Sequence, residues 1–96
     1  MSTYRFLGID HLIGGERLQE YGATIELSDE DAASHVLGSC PLIPESDWQA
    51  LGITDAEQER YSYPGPRNSA PTEFLAKMKA GRDALHAFRE SLKKGA

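Results

Sequence analysis

One cysteine and three histidines are the residues of this 96-residue chain that could supply a thiol nucleophile and an imidazole base. Cys40 with His35 or His11 is the candidate pair, because a thiol needs a nearby imidazole or a positive dipole to ionise at neutral pH. Cys40 follows a predicted helix end, however, where the dipole is negative. This placement favours Cys40 as a small buried residue and His35 as a partly exposed helix residue, and we expect no enzymatic activity.

The other polar residues form no pattern that is typical of a metal or cofactor site. The three histidines (His11, His35 and His86) and Cys40 lack the paired short spacings of zinc ligands. Gly14-Gly15 lacks the lysine and the flanking glycines of a phosphate-binding loop, and suits a hairpin turn better. We therefore expect no cofactor and no metal.

Composition limits the remaining classes of protein. Hydrophobic residues make up 40% of the chain, which is enough for one modest core. A single cysteine excludes an intramolecular disulfide, and no segment has the roughly 20 apolar residues that cross a bilayer. The N-terminus also lacks the apolar stretch of a signal peptide. These features predict a cytoplasmic protein that does not contact membranes.

Charge is unevenly distributed along the chain. Residues 1–71 contain 4 Lys and Arg against 12 Asp and Glu, a formal charge of −8, whereas residues 72–96 contain 6 against 3, a charge of +3. An acidic body repels phosphate groups, so it is not expected to bind nucleic acid. Such binding would have to use the basic tail.

The first 44 residues predict short strands around one helix. Glycines interrupt good strand formers up to residue 27, and Ala23–Leu27 alternates apolar and polar residues as a half-buried strand does. Ser28 followed by three acids predicts a helix from Asp29 to Leu37, ended by Gly38 in a left-handed turn. Cys40–Pro44 predicts an edge strand. The fold class is therefore α+β, with a small antiparallel β-meander or barrel-like sheet, short helices and a C-terminal amphipathic helix.

The second half predicts two short helical pieces, a linker and a long helix. One piece spans Ser46–Leu51, and the other starts at a capping box formed by Thr54 and Glu57. Residues 61–71 contain three prolines and no apolar period, which predicts a flexible linker. The expected organisation is an α+β domain at 1–60, this linker, and an amphipathic helical tail at 72–96.

The tail contains the strongest candidate for a binding surface. Apolar side chains recur along one face of a helix that has Thr72 as its N-cap, and the candidate partner-binding residues are Phe74, Met78, Leu85, Phe88 and Leu92. Gly81 lies on the same face and either allows another backbone to approach closely or weakens the helix. The helix could fold back on its own sheet, pair with another copy, or bind a larger partner. Folding back and self-pairing are favoured.

Three aromatic residues near the linker offer a second, weaker possibility. Trp48, Tyr61 and Tyr63 could form a recognition patch, because aromatic side chains dominate interface hot spots. A single tryptophan is more often part of the core. We therefore interpret Trp48 as a core residue.

The segment Tyr21–Ala33 resembles small tailed-phage and prophage proteins from the region of virion structural genes. The shared features are Gly22 and the run Ile25–Glu30, and the likeness extends over residues 4–44. It implies a strand pair, a short helix that starts at acidic residues and a final strand ending near Pro44. The chain departs from the pattern at Ala23, where aspartate is usual, and in everything after Pro44, so no functional residues are transferred.

Together these features predict a non-enzymatic interaction or assembly module of phage origin, such as a head or head-tail accessory protein. Its partner would be a second copy or a phage structural component, and association with the virion is compatible with a cytoplasmic origin. The alternative is a small nucleic-acid-associated or regulatory protein that acts through the basic helical tail.

Overall fold

The computed structural model describes residues 1–8, 11–13, 15–61 and 71–95. Its strands are β1 (Ser2–Phe6), β2 (His11–Ile13), β3 (Glu16–Leu18), β4 (Thr24–Leu27) and β5 (Leu42–Pro44). Its helices are α1 (Asp29–Leu37), α2 (Glu45–Leu51), α3 (Asp55–Tyr61) and α4 (Thr72–Gly95).

The described strands form one three-stranded sheet and one separate hairpin. β1 lies at the centre of the sheet and pairs antiparallel with β4 on one side and with β5 on the other. β2 and β3 pair with each other, across a turn that includes Gly15 at φ 86°. The predicted α+β class is confirmed. The sheet does not close into a barrel. A meander pairs consecutive strands, whereas β1 pairs here with β4 and β5 while β2 and β3 pair with each other in the separate hairpin.

The alternation predicted for β4 is present, and β1 alternates in the same way. In β4, Ile25 is buried while Thr24 and Glu26 are exposed. In β1, Tyr4 and Phe6 are buried on one face, and Arg5 points to the other. β5 is an edge strand as predicted, and both Leu42 and Ile43 in it are fully buried. The sheet therefore contributes core residues on both of its faces.

Helix α1 has the predicted bounds but ends differently from the prediction. The Ser28 hydroxyl caps its start by accepting from the Asp31 N–H at 3.1 Å. Gly38 has φ −85°, whereas Ser39 has φ 81°, so Ser39 and not Gly38 adopts the left-handed conformation. The Ser39 N–H donates to the Val36 carbonyl, and the Cys40 N–H donates to the His35 carbonyl. This pair of hydrogen bonds defines a Schellman motif. This motif places its left-handed residue one position after the helix cap.

The two predicted helical pieces are present as α2 and α3. Thr54 and Glu57 form the predicted capping box, with the Thr54 N–H donating to Glu57 Oε1 at 3.0 Å and the Glu57 N–H donating to Thr54 Oγ1 at 3.1 Å. Helix α2 ends at Gly52, whose φ of 72° is the left-handed conformation that glycine adopts without strain. These local signals were sufficient to locate both helices.

Helix α4 packs against two clusters of buried residues. The first cluster contains Tyr4, Phe6, Ile13, Leu18, Ile25, Ala32, Val36, Cys40 and Leu42, and the second contains Tyr21, Ile43, Trp48 and Phe74. Leu85 of α4 packs against both clusters, and Phe74 is fully buried in the second. The helix therefore joins the two parts of the core. Its N-cap is Pro71, whose carbonyl accepts from the Leu75 N–H, and not the predicted Thr72.

Gly81 is buried in the middle of α4 beneath side chains of other elements. A Cβ atom at this position would lie 3.1 Å from the Tyr21 hydroxyl and 3.3 Å from Leu51 Cδ1. The groups that approach Gly81 closely are therefore side chains, and not the backbone of another segment, which was one of the two alternatives from the sequence. The Tyr21 hydroxyl is buried without a hydrogen-bond partner among the described residues, and burial raises the pKa of Tyr21 to about 12.

The predicted linker at 61–71 falls mostly on residues 62–70, which lie outside the described residues. Tyr61 is the last residue of α3. The division into a domain and a tail stays a prediction, although α4 is in contact with α1, α2 and β5.

Replacing Phe74 by alanine tests how much the packing of α4 contributes to stability. We expect Phe74→Ala to lower the free energy of unfolding by about 3–5 kcal/mol, because it removes a fully buried ring. The neighbouring Leu75 is 38% exposed, so Leu75→Ala should cost less than about 1 kcal/mol. Urea denaturation of both variants measures the difference, and equal losses would contradict the packing described here.

Replacing Ser39 by glycine tests the strain at the end of α1. We expect Ser39→Gly to stabilise the protein by about 0.5–1 kcal/mol, because glycine adopts a positive φ without the Cβ clash. Ser34→Gly is the matched control, since Ser34 is exposed inside the same helix, where glycine costs about 0.5 kcal/mol. Thermal melts should shift in opposite directions for the two variants.

Candidate functional site

An open groove lies between strands β1 and β5 on one side and the last turns of α4 on the other. It has a volume of about 380 Å³ and is lined by Ser2, Thr3, Tyr4, Asp29, Pro44, Phe88 and Leu92. We call it the β1–α4 groove. The Tyr4 and Phe88 rings stack in its wall, with centroids 6.3 Å apart and planes inclined by 28°. Most of its lining is apolar, and its polar groups are concentrated where β1 meets α1.

The five candidate partner-binding residues divide between the core and this groove. Phe74 belongs to the second buried cluster, and Met78 packs against this cluster. Leu85 joins the two clusters. Phe88 and Leu92 are half-buried against the first cluster and also line the groove. Phe88 and Leu92 are therefore the members of this predicted set that are placed to contact another molecule.

The polar end of the groove is organised around the carboxylate of Asp29. Its Oδ1 atom accepts from the Tyr4 hydroxyl at 2.7 Å and from the Ser2 hydroxyl at 2.9 Å. Both hydrogen bonds lower the pKa of Asp29 below its ordinary value of 3.8, and the bond from Tyr4 is the larger cause. The pKa of Tyr4 is raised to about 12, mainly because the hydroxyl is removed from water and secondly because it donates to Asp29. At neutral pH the groove therefore ends in a carboxylate anion held by neutral hydroxyl groups.

Arg5 holds the sheet to α2 on the opposite face of β1. Its Nε and Nη2 atoms donate to the two carboxylate oxygens of Glu45, and Nη1 donates to the Gly22 carbonyl at 2.9 Å. Its guanidinium also lies 5.1 Å from the centre of the Trp48 ring. The bond from Arg5 is the main reason that the pKa of Glu45 is lowered. Because Glu45 directly follows Pro44, this network also fixes one wall of the groove.

Two of the basic residues of α4 serve the fold itself. Lys77 Nζ donates to the Gly52 carbonyl at 2.9 Å and to Glu57 Oε1 at 2.7 Å. Arg89 Nε donates to the Val36 carbonyl at 3.2 Å. Both carbonyls belong to the C-terminal ends of helices, where the dipole favours a cation. The other basic residues of α4 are exposed: Lys79, Arg82, Lys93 and Lys94.

Cys40, the candidate nucleophile named from the sequence, lies in the core. Its side chain is 3% exposed, and burial raises the pKa of its thiol. Both effects disfavour the thiolate, which is the reactive form. Of the histidines, His11 and His86 are exposed and His35 is half-buried. Within the described ranges, no three His, Cys, Asp or Glu residues are grouped closely enough to hold a metal ion.

Two of the three aromatic residues near the predicted linker, Trp48 and Tyr61, contact other aromatic rings of the same chain. Trp48 is 3% exposed, which confirms it as a core residue. Its ring lies 5.9 Å from that of Tyr21, and Phe74 lies 6.3 Å from Tyr21 and 5.2 Å from Tyr61. Tyr63 lies outside the described residues. Trp48 is therefore too deeply buried to belong to an aromatic recognition patch.

Sequence reasoning did not find the groove or the role of Asp29 in it. The sequence pattern predicts Asp29 as one of three acids at a helix start, and Tyr4 as one of the strand formers that precede residue 27. No sequence spacing indicates their contact, because they are 25 residues apart and meet only when β1 pairs with β4. The usable signal was the apolar seam of α4, which contains Phe88 and Leu92.

Comparisons with protein-family models, with curated proteins and with solved structures give no significant match. No helix in the described part of the chain is long and apolar enough to cross a membrane. The candidate site is therefore defined by its geometry alone.

Replacing Tyr4 by phenylalanine tests the hydrogen bond that holds Asp29. We expect Tyr4→Phe to raise the pKa of Asp29 towards its ordinary value, since the largest cause of the lowering is removed. Ser2→Ala is the control and should raise it less. An NMR titration of the Asp29 carboxyl carbon measures both changes.

The same bond predicts a pH-dependent difference in stability. Because the pKa of Asp29 is lower in the folded state, its contribution is present above pH 3.8 and is lost as the pH falls through the folded value. The stability difference between wild type and Tyr4→Phe should therefore shrink below about pH 4. A constant difference across this range would show that Asp29 does not take part.

Proposed function

We propose that this protein is a non-enzymatic interaction module whose contact surface is the β1–α4 groove. The observation that carries this proposal is the combination of half-buried Phe88 and Leu92 with the ionised Asp29 at one end. Apolar groups that remain partly exposed gain free energy when a partner covers them, and a fixed charge orients that partner.

Two features, one in the core and one in the groove, support a non-enzymatic role. The buried Cys40 thiol has a raised pKa, which disfavours the thiolate that a nucleophile requires. The groove itself contains a carboxylate and hydroxyl groups that bond to one another. These groups are used to hold Asp29 as an anion, which suits recognition of a positive charge.

We further propose a phage origin, in which the module is a head or head-tail accessory protein. This part rests on the resemblance at Tyr21–Ala33, and it implies location in the host cytoplasm or in the virion. The alternative of nucleic-acid binding through the helical tail is weakened, because Lys77 and Arg89 are engaged by helix ends of the same chain.

Site-specific photo-crosslinking tests the interaction surface. A photoreactive amino acid is placed at Leu92, which lines the groove, or at Gln19, which is exposed outside it. The full chain is then irradiated inside the cells that produce it. We expect protein adducts of discrete mass from the Leu92 position and not from Gln19. Absence of adducts at Leu92, or the same adducts at both positions, would contradict the proposal.

A further inference from the structure

We infer that the β1–α4 groove binds a lysine side chain of a partner protein, with its aliphatic stem along the apolar lining and its ammonium group at Asp29. This inference rests on the proposed function and names the group that the partner presents. Two observations carry it. Among the described residues, Asp29 is the one charged residue in the lining, and one oxygen of its carboxylate accepts no hydrogen bond.

The Asp29 carboxylate uses one of its two oxygens within the protein. Oδ1 accepts from the Tyr4 hydroxyl at 2.7 Å and from the Ser2 hydroxyl at 2.9 Å. A carboxylate has about four acceptor sites, two on each oxygen, so these bonds fill Oδ1. Oδ2 accepts no hydrogen bond in the described part of the chain, and Asp29 is exposed. The anion is therefore held in place and offers Oδ2 to a donor in the groove.

The basic side chains of the described residues do not neutralise this carboxylate. Lys93 and Lys94 directly follow Leu92 but do not line the groove. Asp29 forms no salt bridge with any Lys, Arg or His that the structure describes. The Met1 amino group lowers the pKa of Asp29 as well, but is the smallest of the causes. The described residues therefore leave Asp29 open to a cation from another molecule.

The apolar lining determines which kind of cation fits. Pro44, Phe88 and Leu92 line the groove, and Phe88 and Leu92 are only half-buried. Lysine and arginine combine an apolar stem with a charged head, so the stem covers apolar surface while the head reaches a polar group. The stacked rings of Tyr4 and Phe88 in the wall also attract a cation. A long basic side chain therefore matches both parts of the groove.

The hydrogen bonds of Asp29 favour lysine over arginine. Arginine binds a carboxylate best when its planar fork donates to both oxygens. Because Oδ1 already accepts from Tyr4 and Ser2, the fork would have Oδ2 alone. An ammonium group is a compact charge with three donors that are not held in one plane. One donor suits Oδ2, and the two hydroxyl oxygens keep lone pairs that can accept the others.

Other occupants fit the groove less well. A polyanion would be repelled by Asp29 and by the exposed Glu30 and Asp31 in the same turn. A wholly apolar segment would remove the Asp29 anion from water without a partner, which is costly. A small inorganic cation would leave Phe88 and Leu92 uncovered. A lysine side chain pairs the charge and covers the apolar lining together.

Three short peptides test this inference on the full wild-type chain. The probes are acetyl-Leu-Lys-Leu-amide, the same peptide with Nε-acetyl-lysine, which keeps the stem but has no charge, and the same peptide with arginine. An NMR titration follows the Asp29 carboxyl carbon and the Leu92 methyl groups. We expect the lysine peptide to shift both signals with a Kd of about 1–10 mM.

The other two peptides decide what the groove recognises. The acetylated peptide should bind at least about tenfold more weakly, because it cannot pair with the anion. The arginine peptide should bind about threefold or more weakly, because its fork has one oxygen available. Equal binding of the acetylated peptide would overturn recognition of the charge. Equal binding of the arginine peptide would overturn the selection of lysine.

A matched pair of variants tests the role of Asp29 itself. Asp29→Asn removes the charge and keeps an oxygen to which Tyr4 and Ser2 can donate, and it should weaken binding of the lysine peptide at least about tenfold. Glu30→Gln makes the same charge change at the next residue, which does not line the groove, and should change binding less than about twofold. Equal losses in both variants would overturn a specific contact. Circular dichroism confirms folding, and the peptide comparison on wild type does not depend on either variant.

The outcomes separate this inference from the function on which it rests. If Leu92 gives photo-adducts but the lysine peptide leaves the Asp29 signal unchanged, the interaction module stands and lysine recognition fails. Absence of adducts at Leu92 overturns both proposals. Crosslinking in an extract of the same cells joins the two tests. Adducts that are removed by an excess of the lysine peptide, and not by the acetylated peptide, support both.

Discussion

The fold depends on the neutralisation of Arg5, a cation on the central strand of the sheet. A charge in this position is costly unless it is paired and hydrogen-bonded. Glu45 supplies a carboxylate that binds two nitrogens of the guanidinium, the Gly22 carbonyl accepts from the third, and the Trp48 ring lies beside it. One side chain thereby positions the start of α2, the turn before β4 and the centre of the second buried cluster.

The consequences of this pairing extend to the groove. Glu45 directly follows Pro44, the last residue of β5, so the Arg5 pair holds β5 along the edge of the sheet. Helix α4 then lies against β5 and covers both clusters, with Lys77 and Arg89 donating to the ends of α2 and α1. The β1–α4 groove remains open between strands β1 and β5 and the last turns of α4.

Local chemistry made much of the secondary structure predictable. The Ser28 cap, the Thr54–Glu57 box and the alternation in β4 each depend on residues that are close in sequence, and each is present in the structure. The order of the strands was not predictable in this way. Pairing of β1 with β4 and β5 joins residues that are far apart in the sequence, such as Tyr4 with Ile25 and Tyr4 with Pro44. The sequence pattern of each strand is compatible with several neighbours.

The sequence by itself determined the α+β class, the position of α1, the capping of α3 and the amphipathic character of α4, because hydrogen bonds and side-chain periodicity within a few residues decide these features. Only the tertiary structure decided which side chains of α4 became core. Phe74 is fully buried and Gly81 lies under Tyr21, whereas Phe88 and Leu92 remain at an open groove. A periodic apolar face shows which residues avoid water but not which surface covers them. The packing of segments that are distant in the sequence decides which apolar residues of α4 are covered.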